Sequence, residues 1–127
     1  MKTLGVGVDI EEVTRFRKFD VCKGKKFYER LFTKSELKYC LSKADPYPHF
    51  AARFAAKEAS IKACAPYIRL FFSDIEVKNN KDGSPFLSVI GKKKKELKNK
   101  VENYSFFVSL SHTENNAVAF VHFVRCP

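Results

Sequence analysis

Apolar and polar positions alternate from the start of the chain. Leu4, Val6, Val8 and Ile10 fall on one side, and Gly5, Gly7 and Asp9 on the other, which is the period of a β-strand. The spacing predicts a strand over 4–10 whose second side is bare apart from one carboxylate. From Glu11 to Phe19 the period lengthens: Val13, Phe16 and Phe19 recur three apart behind two acids, and a short helix is expected. KGKK at 23–26 reads as a basic loop. Thr33-Lys-Ser-Glu36 is a capping box that opens a helix through Leu41, and Asp45-Pro-Tyr-Pro48 interrupts it. HFAARFAAKEASIKACA, 49–65, is the strongest helical segment, rich in Ala and stopped by Pro66. Residues 75–77 and 86–90 flank a turn at Lys81-Asp82-Gly83 and predict a β-hairpin. A lysine-rich surface helix over 91–103 follows. A second hairpin is expected from 104–111 and 117–124 around Thr113–Asn116. This order of elements predicts an α+β fold, an antiparallel sheet with hairpins packed against a long central helix. At 127 residues a single domain is expected.

Composition narrows the class. Hydrophobic residues make up 45%, too many for a disordered chain, and thirteen Phe with no Trp suggest a core built on Phe rings. The net charge of +10 favours anionic partners. Six lysines lie in KKKKELKNK at 92–100 alone, a run that reads first as a solvated helix face. The four cysteines, Cys22, Cys40, Cys64 and Cys126, form no CxxC pair. That argues against a zinc site and a disulfide framework, and for reduced thiols in a cytoplasmic protein. The N-terminal apolar run is too short for a signal peptide, and no stretch is long enough to span a membrane.

Two carboxylates stand in unexpected places. With Phe50 at zero and about 100° per residue, Phe54, Ile61 and Ala65 fall within about 60° and Glu58 near 80°. A carboxylate in such a stripe is costly unless it is paired or binds a metal. An i,i+4 pair with Lys62 would account for it. Asp9 shares its side of the strand with Gly5 and Gly7, and strand glycines often mark close approach of a ligand or another backbone. Capping of the next helix would also account for Asp9. Together Asp9 and Glu58 could instead hold one hard cation, since Mg²⁺ is commonly held by one or two carboxylates with phosphates and water. Arg53, Lys57 and Lys62 on the same helix suit a phosphate ligand.

GVGVDIEEVTRF at 5–16, LFTKSEL at 31–37, RFAAKEASIKA at 53–63, DGSP at 82–85 and VSLSHT at 108–113 resemble the holo-acyl-carrier-protein synthase family, in its order and spacing, across essentially the whole chain. The resemblance implies the 4′-phosphopantetheinyl transferase fold and transfer of 4′-phosphopantetheine from coenzyme A to a serine of acyl carrier protein. It implies Mg²⁺ on Asp9 and Glu58 with the coenzyme's pyrophosphate, and Lys62 at the reacting phosphate. His112 is implied to contact the phosphates of the nucleotide end, Gly83 and Pro85 to lie beside the adenine, and Arg53 to face the nucleotide. Arg15 corresponds to the family's basic residue that docks the acidic carrier protein. Lys25 and Lys26 match that surface by charge. The acceptor serine needs a base, for which Glu58 and a water on the ion are both candidates. Glu36 is accounted for by its capping box. A homotrimer with active sites at subunit boundaries is implied as well.

The chain departs from the family's pattern in its four-lysine run and in Ala65-Pro-Tyr-Ile-Arg-Leu70, which lacks the usual Gly-rich turn. The charge alone would also suit a small RNA-binding domain, but no RNP-like aromatic motif or KH-type GxxG loop is present. Neither a nucleic acid nor a membrane is therefore expected as a partner. A larger-type transferase would share the metal site and differ in its carrier protein.

Overall fold

A computed structural model describes residues 1–127. The elements run β1 (Lys2–Glu12), α1 (Val13–Lys18), α2 (Lys25–Leu31), α3 (Lys34–Leu41), α4 (Tyr47–Cys64), a 3₁₀ turn (Phe72–Asp74), β2 (Ile75–Asn79), β3 (Pro85–Val89), α5 (Lys92–Lys100), β4 (Tyr104–His112) and β5 (Asn116–Arg125). The expected α+β architecture is present. A three-stranded antiparallel sheet has the order β1-β5-β4, and β2 pairs with β3 in a separate ribbon.

Helix α4 organises the interior. Ala51, Ala55, Ala56, Ala59 and Ala63 are fully buried, and side chains that small allow other backbone to approach the helix closely. Its first half joins Phe16, Tyr28, Phe32 and Phe50 in one core cluster, and its second half joins Ile75, Val89, Leu97, Val121 and Phe123 in another. The Tyr28 hydroxyl donates to the carbonyls of Phe16 and Phe19 and ties α1 to α2.

The glycine side of β1 faces α4. A Cβ on Gly5 would sit 2.0 Å from the Ala63 carbonyl oxygen, and one on Gly7 would sit 1.8 Å from that of Ala59. Of the two reasons for strand glycines, close approach of backbone is the one that operates. The opposite side, with Val6, Val8 and Ile10, is more than half exposed.

Several sequence expectations are corrected. Glu11 and Glu12 belong to β1, so α1 has no acid in its first turn, and the strand is longer because Glu11 and Glu12 pair with Ala117 and Asn116. Lys25 and Lys26 do not lie in a loop but open α2 behind Gly24. Helix α4 starts before His49, with a proline in its first turn, where the missing N–H is harmless. Its burial extends around most of its circumference, not along one stripe, and Ala65 lies exposed beyond its end. The Phe core is also only partial, since Phe19, Phe27, Phe71, Phe86, Phe107 and Phe120 are exposed. No helix is long and apolar enough to cross a membrane.

Candidate active site

Strand β1 carries Asp9 inward, toward the side where α4 lies. Lys62, near the end of α4, donates to the Val8 carbonyl at 3.0 Å and lies 3.4 Å from Asp9 Oδ1. The expected Glu58–Lys62 pair is thus replaced by Lys62–Asp9, and Asp9 caps no helix. Asp9 Oδ2 is buried and has no hydrogen-bond partner. Such an oxygen is costly to leave unpaired. Glu58 is half-buried one turn before Lys62.

Glu11 joins them. Burial, then the adjoining Asp9, push its carboxyl up to about 7, with Glu58 adding in the same direction and Arg15 opposing. Arg15 Nη1 sits 2.7 Å from Glu11 Oε1. Strand alternation from Asp9 would have revealed Glu11 had the strand been read beyond Ile10. Asp9 and Glu11 thus meet Lys62 and Arg15, and Glu58 lies near enough to act on Glu11. No cluster of three His, Cys, Asp or Glu side chains has metal-ligand geometry, so there is no all-protein cage. A desolvated carboxylate pair with one orphaned oxygen fits a hard ion that keeps water or phosphate oxygens.

A second group of sequence-expected residues gathers elsewhere. Arg53 is buried, its guanidinium 3.9 Å above the Tyr39 ring, and it donates to Asn79 Oδ1. Its Nε is buried without a partner. Asn79 Nδ2 donates to the Gly83 carbonyl at 2.9 Å, and Asn79 pairs with Pro85 across the β2–β3 ribbon. Ser35, Tyr39, Arg53, Val77, Lys78 and Asn79 line a cleft of about 280 Å³. His112 packs on His49 at 5.4 Å, and His49 on Tyr39 at 5.9 Å. Burial, then the His112 charge, lower the pKa of His49. Arg53, Gly83, Pro85 and His112 are thus joined through Tyr39, His49 and Asn79, three residues the motifs did not single out.

The two groups point apart. Arg53 and Glu58 are five residues apart on α4, about 140° around the helix. Arg53 meets α3 and β2, whereas Lys62 meets β1. Within one chain the two groups therefore do not share a common cleft.

Lys57 does not serve a ligand. It is fully buried, 2.7 Å from Glu36 Oε1, and it donates to the carbonyls of Leu31 and Phe72. Glu36 does more than cap α3: besides the capping box it accepts from the Val77 N–H at 2.8 Å. Among the basic residues expected at a partner surface, Arg15 is exposed beside Glu11. Lys25 and Lys26 line a cleft of about 520 Å³ with Phe19 and Phe27, whose exposed rings stack at 4.9 Å.

Comparison with known proteins follows the same lines. The family model of the 4′-phosphopantetheinyl transferase superfamily matches residues 5–121. A holo-[acyl-carrier-protein] synthase of Thermodesulfovibrio yellowstonii is 48% identical over 118 residues, 92% of this chain and 95% of that protein. The crystal structure of the Neisseria meningitidis holo-[acyl-carrier-protein] synthase superposes with a TM-score of 0.83 at 28% identity, over 97% of this chain and 99% of that one. The Helicobacter pylori enzyme in complex with coenzyme A superposes at 0.76 and 31% identity, over 94% and 99%. With its length and fold shared with these proteins and the family model matched over 5–121, the chain belongs to the 4′-phosphopantetheinyl transferase superfamily, among the holo-[acyl-carrier-protein] synthases.

Proposed function

We propose that the chain, acting as one transferase domain, moves 4′-phosphopantetheine from coenzyme A to a serine of apo-acyl carrier protein and releases adenosine 3′,5′-bisphosphate. The observation that carries this reading is the orphaned Asp9 oxygen, with Lys62 at the same carboxylate and Glu58 near enough to act on the adjoining Glu11. Asp9 and Glu58 would hold Mg²⁺, whose charge stabilises the diphosphate as the nucleotide departs. Lys62 offsets charge on the transferred phosphoryl group. Its ammonium, already drawn to Asp9, is half exposed and free to turn toward that group. Glu58, which has no ion-pair partner of its own, or a water on the ion would take the serine proton.

The nucleotide end is held by the other group. Arg53 supplies a cation and His112 a ring nitrogen for phosphate, and Gly83 with Pro85 presents a turn free of side-chain bulk to the adenine. Nothing lies within 4 Å of a Cβ built on Gly83. Arg15, Lys25 and Lys26 dock the acidic carrier protein, with Phe19 and Phe27 as the apolar centre of that surface. The four unpaired thiols suit the cytoplasm.

Because the two half-sites diverge, a complete site forms between copies in a homotrimer. The outer side of the sheet supports this: Val6, Val8, Ile10, Phe107 and Phe120 are exposed together on β1, β5 and β4. An apolar surface of that kind marks an association face.

The test combines the protein with coenzyme A, Mg²⁺ and apo-acyl carrier protein, and mass spectrometry looks for the added phosphopantetheine. The wild type adds it. Asp9→Asn lowers kcat/KM by at least about a hundredfold, the loss expected when several kcal/mol of transition-state charge stabilisation go, with a melting temperature no lower than wild type. Turnover of Asp9→Asn at the wild-type rate would sink the assignment.

A further inference from the structure

Helix α5 breaks local rules without any gain inside the chain. Lys92, Lys93, Lys94 and Lys95 occupy its first turn with no acid among them, where the helix dipole disfavours cations. Leu97 is its one buried residue. Glu96 lies within 3.7 Å of Lys93 and 3.6 Å of Lys100. Lys92, Lys95 and Lys98 are exposed and have no acidic partner. At about 100° per residue they project on the side away from Leu97. None of these residues takes part in the transfer chemistry, and local frustration of this kind is expected at functional surfaces.

An exposed aromatic stands on each flank. Phe71 is 53% exposed, with the Arg69 guanidinium 5.2 Å and the Lys93 ammonium 6.0 Å from its ring. On the other flank, Lys94 shares a surface cleft with Phe86, which is 39% exposed. A single-stranded nucleic acid needs aromatics in line along a groove. Here they stand beside Lys93 and Lys94, on two flanks of one exposed helix and not along a groove. An anionic bilayer needs a lysine-covered face with aromatics at its margins, which seat at the headgroup level.

We propose that α5, with Phe71 and Phe86 beside it, is a docking face for an anionic phospholipid bilayer, which holds the protein peripherally. This departs from the sequence-based expectation of no membrane partner and does not depend on the transfer reaction.

Co-sedimentation of the full chain with vesicles tests it. One set holds equal parts phosphatidylglycerol and phosphatidylcholine, the other phosphatidylcholine alone, each at low salt and at about 0.15 M salt, where screening acts within about 8 Å. The expected result is binding to the anionic vesicles only, weakening as salt rises. Combined Lys92→Ala, Lys95→Ala and Lys98→Ala lowers the partition coefficient about a hundredfold, roughly fivefold per lysine. The matching triple change to Arg keeps binding. Phe71→Ala lowers it about tenfold, as for loss of a buried Phe ring. Transfer activity in solution is unchanged in the lysine variants. Equal binding to both vesicle types, or full binding by the triple Ala variant, overturns the proposal. So does release of vesicle-bound protein by an RNA oligonucleotide at equal phosphate concentration, which would mark the face as one for nucleic acid.

Discussion

At the residue scale, the buried polar side chains divide by whether they are fully paired. Lys57 and Glu36 satisfy each other and four backbone groups, which makes the pair structural. Lys57→Met strands a carboxylate and two carbonyls in the core and should destabilise the chain by about 3–5 kcal/mol, the range for a broken buried pair, read by denaturant unfolding. Asp9 and Arg53 each retain an unpartnered buried atom, and both are placed at the candidate site. His49 gives a pH signature. Its folded-state pKa is lowered by burial and by His112, with Lys43 and Arg53 adding and Asp45 opposing. The unfolded chain therefore takes up that proton more readily, and stability falls as pH drops below the ordinary histidine range, near 6.5. His49→Gln should flatten that part of a melting-temperature profile. An unchanged slope would locate the titration elsewhere.

At the element scale, β1 and α4 are fitted to each other through glycine and alanine. Gly7→Ala puts a methyl group against the Ala59 carbonyl oxygen, a backbone atom that cannot yield, and about 3 kcal/mol of stability should be lost, as in severe overpacking. Gly83→Ala meets no atom and carries only the strain of its positive φ of 89°, about 1–2 kcal/mol. Denaturation midpoints of the two variants compare these effects directly, and the reverse order would refute the packing account. Beyond that close fit, the inward side of β1 carries Asp9, which meets Lys62, and Glu11, which Glu58 influences.

At the scale of the whole molecule, α4 separates the group around Asp9 and Lys62 from the group around Arg53 and His112. If the complete site lies between copies, Asp9→Asn and Arg53→Gln damage different halves. Each alone should be nearly inactive. Mixed and allowed to exchange subunits, they should recover about a quarter of wild-type activity, the share of random interfaces with both halves intact. No recovery after verified exchange would place the whole site within one chain.

The alternation over 4–10, the capping box at Thr33 and the Ala-rich helix ending before Pro66 were legible because each depends on residues close in sequence. The residues of the two groups, around Asp9 and around Arg53, were singled out through family resemblance. The sequence by itself determined most of the elements, though not α2, and the chemistry available to them. Which side of β1 is buried, the fate of Lys57 and the gathering of Tyr39, His49 and Asn79 were decided by tertiary packing. Strand periodicity is the same whichever side faces inward, and an ion pair between α3 and α4 depends on how the two helices dock. The divergence of the half-sites likewise follows from what α4 touches on either side.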